Sequence, residues 1–264
     1  MCPSQITNWT IVQGEEPLTS RLDGNVFMEP LTKGEYPKNM QSLVGSRLPK
    51  FSKQQSKLLM NASFDFIGIN YYTSYFAAHA PHLHNLSSKP TYSTDSLVNL
   101  TIERNGIPIG PRVLISDSEN HIFVTLFIFK CLFIYTQAAS SWLSAYPRGI
   151  RQLLLYIKRK YNNPLIYVTE NGIDEIKDPT LSLEEALMDT YRIDYYYRHL
   201  YYLQLAIKDG VNVKGYFAWS LLDNFEWFSG YTVRFGINFV DYKNGLKRHQ
   251  KFSAHWFRNL LRKD

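Results

Sequence analysis

The chain has 264 residues, 45% of them hydrophobic and 20% charged, so it is long enough to bury one large core or two small ones. An aromatic content of 15% is high; it suits a carbohydrate site, where flat rings meet the apolar faces of sugars, as well as any large core. The net charge of +6 does not indicate nucleic acid as a partner, because the basic residues are dispersed. Their densest group, Lys158, Arg159 and Lys160, falls near the end of a predicted helix, where cations are favoured.

The cysteines and the N-terminus say little about the cellular compartment. Cys2 and Cys131 give no disulfide framework. The N-terminus lacks the basic start and apolar run of a secretory signal peptide, so as written the chain is expected to stay in the cytosol. Against that, four Asn-x-Ser/Thr sequons are a weak hint of a secretory origin and are candidate N-glycosylation sites. They begin at Asn8, Asn61, Asn85 and Asn99.

Two stretches in the first half of the chain lack usable periodicity. Residues 28–47 have a proline or glycine every few positions and predict a loop around at most one short helix. Residues 79–111 are rich in His, Ser, Thr, Asn and Pro and predict a long surface loop. Between them, residues 52–61 predict a helix, in which Ser52 and Gln55 have the spacing of a capping box.

An apolar segment at about 113–136 does not match its surroundings. Its core, residues 122–135, consists mainly of Ile, Phe, Val, Leu and Thr, interrupted by Lys130 and Cys131. A membrane-spanning helix needs roughly 20 such residues, so we predict no membrane span here. The plain alternative is one additional core helix or strand.

Two helices are predicted beyond this segment. Residues 149–161 predict a helix with one apolar stripe, and residues 183–209 predict a single long helix that ends at Gly210. The long helix begins with a capping box formed by Ser182 and Glu185. The stripe of the first helix consists of Ile150, Leu153, Leu154 and Ile157.

Three apolar runs predict buried strands. They are residues 64–72, 165–172 and 213–220, and the run at 165–168 has no polar alternation, as a parallel strand covered on both faces requires. Strand, helix and strand at this spacing imply a right-handed crossover. The sequence therefore predicts an α/β fold with a parallel sheet.

Polar or aromatic groups gather at the C-terminal end of each predicted strand. Because the active sites of (β/α)₈ barrels are built from these strand ends, the agreement of three strands favours a functional role for Glu170 over an ordinary surface carboxylate. Gly172 then lets the backbone leave the strand sharply. The groups are Asn70 and Tyr72 on the first strand; Glu170 and Asn171 on the second; and Trp219, Asp223, Asn224, Glu226 and Trp227 on the third.

Three motifs carry a resemblance to a known family. They read Tyr-Val-Thr-Glu-Asn-Gly, then Gly-Tyr-Phe-Ala-Trp-Ser-Leu-Leu-Asp-Asn-Phe-Glu-Trp, then Tyr-Thr-Val-Arg-Phe-Gly-Ile-Asn-Phe-Val-Asp-Tyr. Together they resemble the C-terminal part of plant β-glucosidases of glycoside hydrolase family 1, over about residues 23–261. The resemblance implies a (β/α)₈ TIM barrel that hydrolyses β-D-glucosides with retention through a covalent glycosyl-enzyme, without cofactor or metal.

The resemblance also implies a role for each matching residue. Glu170 matches the catalytic nucleophile, and Tyr72 matches the tyrosine whose hydroxyl orients it. The substrate-binding positions are Asn70, paired with Tyr72; Trp219, under the glucose ring; Glu226 and Trp227, at the outer sugar hydroxyls; and Phe235, which borders the sugar. These residue types suit the chemistry, since a carboxylate can attack an anomeric carbon and indole combines a ring face with an N–H donor.

Two departures from the family pattern change the expectation. Family members carry, further upstream, a Thr-x-Asn-Glu-Pro motif whose glutamate is the general acid and base, and no Asn-Glu-Pro occurs in these 264 residues. The nearest imitation, Met28-Glu29-Pro30, matches a different family segment. The sequence therefore predicts one truncated domain over 1–264, an incomplete barrel with strands six to eight only.

The second departure is the segment at about 113–136, which interrupts an otherwise continuous match. We hypothesise that it is retained non-coding sequence. Three functions stay open: a β-glucosidase, a pseudoenzyme that binds glucosides weakly, and a truncated product with no stable fold. We predict that this chain alone is inactive, because it lacks the acid/base motif. The expected partner is a β-glucoside, and the sequence does not indicate an oligomeric state.

Overall fold

The computed structural model describes residues 11–13, 23–61, 64–82, 89–110 and 138–262. The apolar segment predicted as an insertion at about 113–136 and the sequons at Asn8 and Asn85 lie outside these residues. The helices are α1 (Asp23–Lys33), α2 (Lys38–Val44), α3 (Lys53–Asn61), α4 (Tyr92–Asp95), α5 (Pro147–Lys160), α6 (Leu183–Ala186), α7 (Thr190–Lys208) and α8 (Phe252–Leu261). The strands are β1 (Ile11–Gln13), β2 (Ile67–Asn70), β3 (Ser74–His79), β4 (Val98–Thr101), β5 (Glu103–Arg104), β6 (Ile107–Pro108), β7 (Ile166–Asn171), β8 (Glu175–Ile176), β9 (Val213–Ala218), β10 (Val233–Arg234), β11 (Asn238–Asp241) and β12 (Lys247–Gln250).

The three predicted buried strands form one parallel sheet. Its order is β2-β7-β9, with β7 in the centre, where Ile69 lies opposite Val168 and Val168 opposite Tyr216. All four residues of β2 are buried. Both parallel pairs confirm the predicted α/β fold, because parallel neighbours require crossovers, and α5 and α7 lie in those crossovers.

The predicted apolar stripe of α5 forms the main core with the sheet. Ile150, Leu154 and Ile157 are fully buried, and they pack with apolar side chains of β2 and β7. Complete burial of each such side chain stabilises the fold by about 1.5–3 kcal/mol. α5 starts close to the strand ends, because a β-carbon at Gly149 would lie 2.1 Å from the Tyr71 hydroxyl. Packing of the apolar stripe on the sheet thus holds the start of α5 close to the carboxyl ends of the strands.

The prediction of a loop at 28–47 is wrong, since the region contains most of α1 and all of α2. Pro30 lies inside α1. Met28, in the same helix, is fully buried in the core. Glu29, next to it, forms ion pairs with Lys33 and Lys160 at 3.4 Å and 3.0 Å. The burial of Met28 and the ion pair with the distant Lys160 stabilise a helix that the local proline signal alone argues against.

The prediction of a long surface loop at 79–111 is also wrong in part. β4 pairs antiparallel with β3, with Ala77 opposite Leu100 and His79 opposite Val98. The Ala80 amide continues this pairing by donating to the Leu97 carbonyl at 2.8 Å. The polar composition of the region concealed a strand because pairing with a neighbour, rather than composition, makes these residues extended.

The predicted helix at 183–209 is two helices, α6 and α7. The capping box is confirmed, with Ser182 and Glu185 each bonded to the other's backbone. The helix is interrupted near Asp189. The Asp189 carboxylate accepts a hydrogen bond from the Ser253 amide at 2.8 Å and forms an ion pair with Arg192 at 2.6 Å. The second capping box, Ser52 with Gln55 at the start of α3, is confirmed as well.

Glycosylation and the absence of a membrane span at about 113–136 stay predictions, and two findings concern the described residues. Asn61, at the end of α3, and Asn99, in β4, are exposed, as glycosylation at these sequons requires. Among the helices that the structure describes, none is both long enough and apolar enough to cross a membrane.

Candidate active site

The parallel register brings the predicted site residues to one edge of the sheet. Asn70 on β2 lies opposite Glu170 on β7, and Asn171 lies opposite Ala218, the last residue of β9. Trp219 directly follows β9, and Tyr72 lies two residues after the end of β2. Since parallel strands all end at the same side of a sheet, these side chains face one region.

A short hydrogen bond joins two of the predicted residues. The Tyr72 hydroxyl donates to Glu170 Oε2 at 2.6 Å, although the residues are 98 positions apart in the chain. The bond fixes the orientation of the Glu170 carboxylate. Burial is the main reason why the pKa of the Tyr72 hydroxyl is raised, with the neighbouring charge of Glu170 adding to it, so Tyr72 stays a donor.

Glu170 is half-buried, and its environment has two opposing effects on its charge. Burial raises the pKa of the carboxyl, whereas hydrogen bonds from Tyr72 and Asn70 oppose that rise. Asn70 is itself oriented, because its side-chain oxygen accepts the Thr169 hydroxyl at 2.7 Å. The result is a carboxylate with weak solvation and a fixed orientation, which is the state required of a nucleophile.

Trp219 and Glu226 form the second pair at this edge. The Trp219 indole donates to Glu226 Oε1 at 3.2 Å, across the loop that follows β9. The backbone of Trp219 is equally constrained, because a β-carbon at Gly172 would lie 1.8 Å from its carbonyl oxygen. Position 172 therefore requires glycine, because the backbone just after β9 lies too close for any side chain.

Glu226 is buried, with 8% of its surface exposed. Burial raises the pKa of its carboxyl; bonds from Trp219 and Asn224 oppose the rise, and the charges of Asp174 and Glu170 add to it. The negative charge of Glu170 thus contributes to the raised pKa of Glu226. Among the residues that the structure describes, no cation forms an ion pair with either carboxylate, which is unusual for carboxylates removed from solvent.

Of the remaining predicted residues, one lies at the site and one faces solvent. Phe235 is buried, and its ring packs edge-on against Tyr72 with the centroids 5.9 Å apart. Trp227 is 83% exposed and lies in a single 3₁₀ turn, Trp227–Ser229. The other predicted residues lie together at the strand ends, and Trp227, next to Glu226 in the chain, is exposed to solvent.

Sequence reasoning missed two neighbours of the site. Trp142 packs edge-on against Tyr72 at 5.9 Å and is 45% exposed. Asp174 is buried and accepts the amides of Ala139 at 2.8 Å and Ser140 at 3.0 Å. Only the packing of distant segments reveals either residue, so no local signal marked them.

Asn171 is a structural residue. Its amide donates to the Tyr71 carbonyl at 2.7 Å and to the Tyr195 hydroxyl at 2.9 Å, and its oxygen accepts the Tyr216 hydroxyl at 2.6 Å. With no exposed surface and three partners, it links β7 to the neighbouring elements.

The loop that carries Trp219 and Glu226 is anchored at Asp223. This carboxylate pairs with Arg234, accepts the amides of Gly236 and Val240 at 3.0 Å each, and lies 3.5 Å from the Lys251 ammonium. Only 4% of its surface is exposed. The loop is thereby fixed to β10, β11 and the start of α8.

Asp223 belongs to a larger buried group that we call the ionic cluster. Lys251 also pairs with Glu175, which lies 3.6 Å from Arg192, and Arg192 pairs with Asp189. Because each carboxylate has a cation beside it, these charges are compensated. Its members are Asp189, Glu175, Asp223, Arg192, Arg234 and Lys251.

A model of glycosyl hydrolase family 1 matches residues 2–264. The chain belongs to glycosyl hydrolase family 1. Beta-glucosidase 12 of Oryza sativa subsp. japonica is 55% identical over 237 residues, which are 90% of this chain and 41% of that protein. Oleuropein beta-glucosidase of Olea europaea is 44% identical over 274 residues, which are 98% of this chain and 44% of that protein. The family 1 resemblance predicted from the motifs is confirmed, and the chain spans less than half the length of these relatives.

Solved family 1 structures show the same fold. The rice β-glucosidase Os3BGlu6 superposes with a TM-score of 0.78 at 38% identity, covering 93% of this chain and 47% of that one. The β-glucosidase of Thermotoga maritima, solved with castanospermine, gives 0.71 at 29% identity, covering 98% and 50%. These neighbours imply a (β/α)₈ barrel, whereas the described residues of this chain form no closed barrel. Among those residues there is also no group of three or more His, Cys, Asp or Glu that could hold a metal ion.

Proposed function

We propose that this chain carries the nucleophile and the glucose-binding side of a site that hydrolyses β-D-glucosides with retention of configuration. Glu170 attacks the anomeric carbon, and Tyr72 orients it. Trp219 lies under the glucose ring, and Phe235 borders the sugar. Asn70, Glu226 and Trp227 bind its hydroxyls. In this proposal β2, β7 and β9 are strands six, seven and eight of an incomplete family 1 barrel, in a single domain interrupted at about 113–136.

The observation that carries the proposal is the 2.6 Å bond from Tyr72 to Glu170 at the carboxyl end of the sheet. It stabilises the ionised carboxylate while burial limits its solvation, so the carboxylate is held ready to attack. The Trp219–Glu226 pair adds a ring face, an indole N–H and two acceptor oxygens within one loop. That combination suits a sugar ring with several hydroxyls.

We further propose that the 264-residue chain alone hydrolyses glucosides slowly. Retaining hydrolysis needs a second carboxyl group about 5 Å from the nucleophile, to protonate the departing oxygen. Glu226 accepts the Trp219 indole and is assigned to sugar hydroxyls, and Glu29 is committed to ion pairs with Lys33 and Lys160. Loss of a general acid typically forfeits roughly 10²–10⁴ in rate.

The test compares two substrates on the purified chain. An activated aryl β-glucoside has a leaving group that needs little protonation, whereas an unactivated alkyl β-glucoside needs an acid. We expect a slow burst on the aryl substrate alone, abolished in Glu170→Gln. Turnover of the alkyl glucoside at the rate of the family 1 enzymes would contradict the missing acid, and an equal burst in Glu170→Gln would contradict the nucleophile.

A second candidate function is glucoside binding without catalysis. The Trp219–Glu226 pair is formed in the structure without a ligand, so a sugar-binding surface is available whether or not Glu170 reacts. Titration with a non-hydrolysable glucoside analogue distinguishes the two functions. Binding that is lost in Glu226→Ala, with no burst on the aryl substrate, would favour the binding function.

A further inference from the structure

Two neighbouring tyrosines of α7 reach different sides of the candidate site. Tyr195 and Tyr196 are both fully buried and are consecutive in the helix. Because consecutive helical side chains point about 100° apart, the two rings extend towards different strands. α7 lies in the crossover from β7 to β9, so it runs beside the strand that carries Glu170 and the strand that leads to Trp219.

The Tyr195 hydroxyl joins two neighbours of the predicted nucleophile. It donates to the Tyr72 carbonyl at 3.0 Å and accepts the side-chain amide of Asn171 at 2.9 Å. Asn171 follows Glu170 in β7, and the Tyr72 hydroxyl donates to the Glu170 carboxylate at 2.6 Å. One hydroxyl therefore connects the backbone of the orienting tyrosine with the strand that carries the carboxylate.

The side chain of Tyr195 is itself held in place. The imidazole of His199, one turn further along α7, lies against the Tyr195 ring with the centroids 3.9 Å apart. Its Nδ1 donates to the Tyr195 carbonyl at 2.7 Å, since a carbonyl can only accept. Burial lowers the pKa of His199 to about 3, so this imidazole is neutral near neutral pH.

Tyr196 makes the corresponding contact on the sugar-binding side. Its hydroxyl donates to the Trp219 carbonyl at 3.1 Å, and its ring packs edge-on against Phe257 of α8 at 4.9 Å. The Trp219 amide donates in turn to the Asn171 carbonyl at 2.8 Å. The backbone of Trp219 is thus bonded on both sides, which fixes where its indole meets Glu226.

A buried tyrosine usually has a hydrogen-bond partner, so the bonds alone do not indicate a role. This pair differs because each hydroxyl binds the backbone carbonyl of a different site residue. Resting on the proposed function, we propose that the two tyrosines are positioning residues with separate effects. Tyr195 acts on the nucleophile through Tyr72. Tyr196 acts on the sugar-binding face through Trp219.

The experiment measures labelling of the 264-residue chain by an activated aryl β-glucoside with fluorine in place of the 2-hydroxyl. Intact mass, followed over time at several concentrations, gives the maximal labelling rate and the concentration at half that rate. Tyr195→Phe should lower the maximal rate by at least about tenfold and leave the half-rate concentration nearly unchanged, because misalignment of a reacting group acts in the transition state.

Tyr196→Phe should have the reverse effect. We expect the half-rate concentration to rise by about fivefold with a nearly unchanged maximal rate, since Trp219 contacts the sugar before the reaction as well. Tyr197→Phe is the matched control, because Tyr197 is the next residue of α7 and is 61% exposed. Both values should stay as in the parent chain.

Losses of the same kind in Tyr195→Phe and Tyr196→Phe, or no loss in either, would overturn the proposal. Each substitution keeps the ring and removes only the hydroxyl, and circular dichroism checks that all three variants fold. A merely structural role would lower the amount of folded protein without separating the maximal rate from the half-rate concentration.

A second measurement separates this proposal from the proposed function. Carbon NMR of a chain labelled at the glutamate carboxyl groups follows the titration of Glu170. The bond from Tyr72 opposes the rise of the Glu170 pKa, so Tyr195→Phe should raise that pKa further, and Tyr196→Phe should leave it unchanged. This shift with a glycosyl label elsewhere, or with none, supports Tyr195 and contradicts the nucleophile. No shift, with Glu170 labelled, contradicts Tyr195 alone.

Discussion

Two groups of buried or partly buried carboxylates in this chain have opposite surroundings. In the ionic cluster, Glu175, Asp189 and Asp223 each lie beside a cation. At the strand ends, the hydrogen-bond donors to Glu170 and Glu226 in the described part of the chain are neutral, from Tyr72, Asn70, Trp219 and Asn224. Burial alone would raise the pKa of Glu175, but the charges of Arg192 and Lys251 leave it below its ordinary value.

The difference indicates a structural role for the first group and a role in binding or reaction for the second. Compensated charges fix elements in place, and the cluster joins the segment after β7, the start of α7, the loop after β9 and the start of α8. Uncompensated carboxylates destabilise the fold and are retained where a reaction or a ligand uses them. The comparison therefore makes different predictions for changes at the two groups.

The largest effect is expected in the ionic cluster. Arg192→Met leaves Asp189 buried without its cation and should lower the free energy of unfolding by about 3–5 kcal/mol. Arg198→Met is the control, because its partner Asp194 forms an exposed pair worth about 0–1 kcal/mol. Urea unfolding followed by circular dichroism measures the free energy of unfolding of both variants. Similar losses would show that the ion pairs of the ionic cluster stabilise the fold no more than an exposed pair does.

The next effect concerns sugar binding at the strand ends. Glu226→Ala should weaken binding of a glucoside analogue by about 1.5–3 kcal/mol, the range for hydrogen bonds to a charged group. Glu170→Gln should change binding little, because a nucleophile acts chiefly in the transition state. Isothermal titration measures both variants. Equal losses would mean that the two carboxylates do not have separate roles.

The smallest effect is a difference in pH dependence. The pKa of Glu175 is lower in the folded chain than in the unfolded chain, so its ionisation stabilises the fold at a pH above the unfolded-state pKa. This contribution is lost as the pH falls through the folded-state pKa. The pKa of Glu170 is higher in the folded chain, so its effect on stability is the opposite. Its ionisation destabilises the fold increasingly as the pH rises from the unfolded-state pKa to the folded-state pKa.

Urea unfolding at several pH values between about 3 and 7 measures these slopes. Glu175→Gln should reduce the loss of stability in acid, whereas Glu170→Gln should make the protein more stable near neutral pH. A change of the same sign in both variants would contradict the comparison.

The sequence predicted the parts of the fold that local patterns specify. The strand around Glu170, the stripe of α5 and the two capping boxes are confirmed, because continuous apolar runs, i, i+4 spacing and cap residues act over a few positions. Residues 28–47 and the break at Asp189 were predicted wrongly. Both depend on partners far along the chain: Lys160 for Glu29, and Ser253 for Asp189.

The candidate site divides in the same way. Strand-end position and the motif resemblance located Glu170, Tyr72 and Trp219, and the structure brings them to one edge. The ionic cluster and Trp142 were not predicted. Charges and rings are spread through the sequence, and only the folded chain determines which of them meet.

The most direct test of Glu170 as nucleophile is the mass of the protein after reaction. The chain is mixed with an activated aryl β-glucoside carrying fluorine in place of the 2-hydroxyl, and its intact mass and peptides are measured. We expect one added glycosyl group on the peptide that contains Glu170, and no addition to Glu170→Gln. A glycosyl group on another carboxylate, or an unmodified chain with intact circular dichroism, would contradict the assignment.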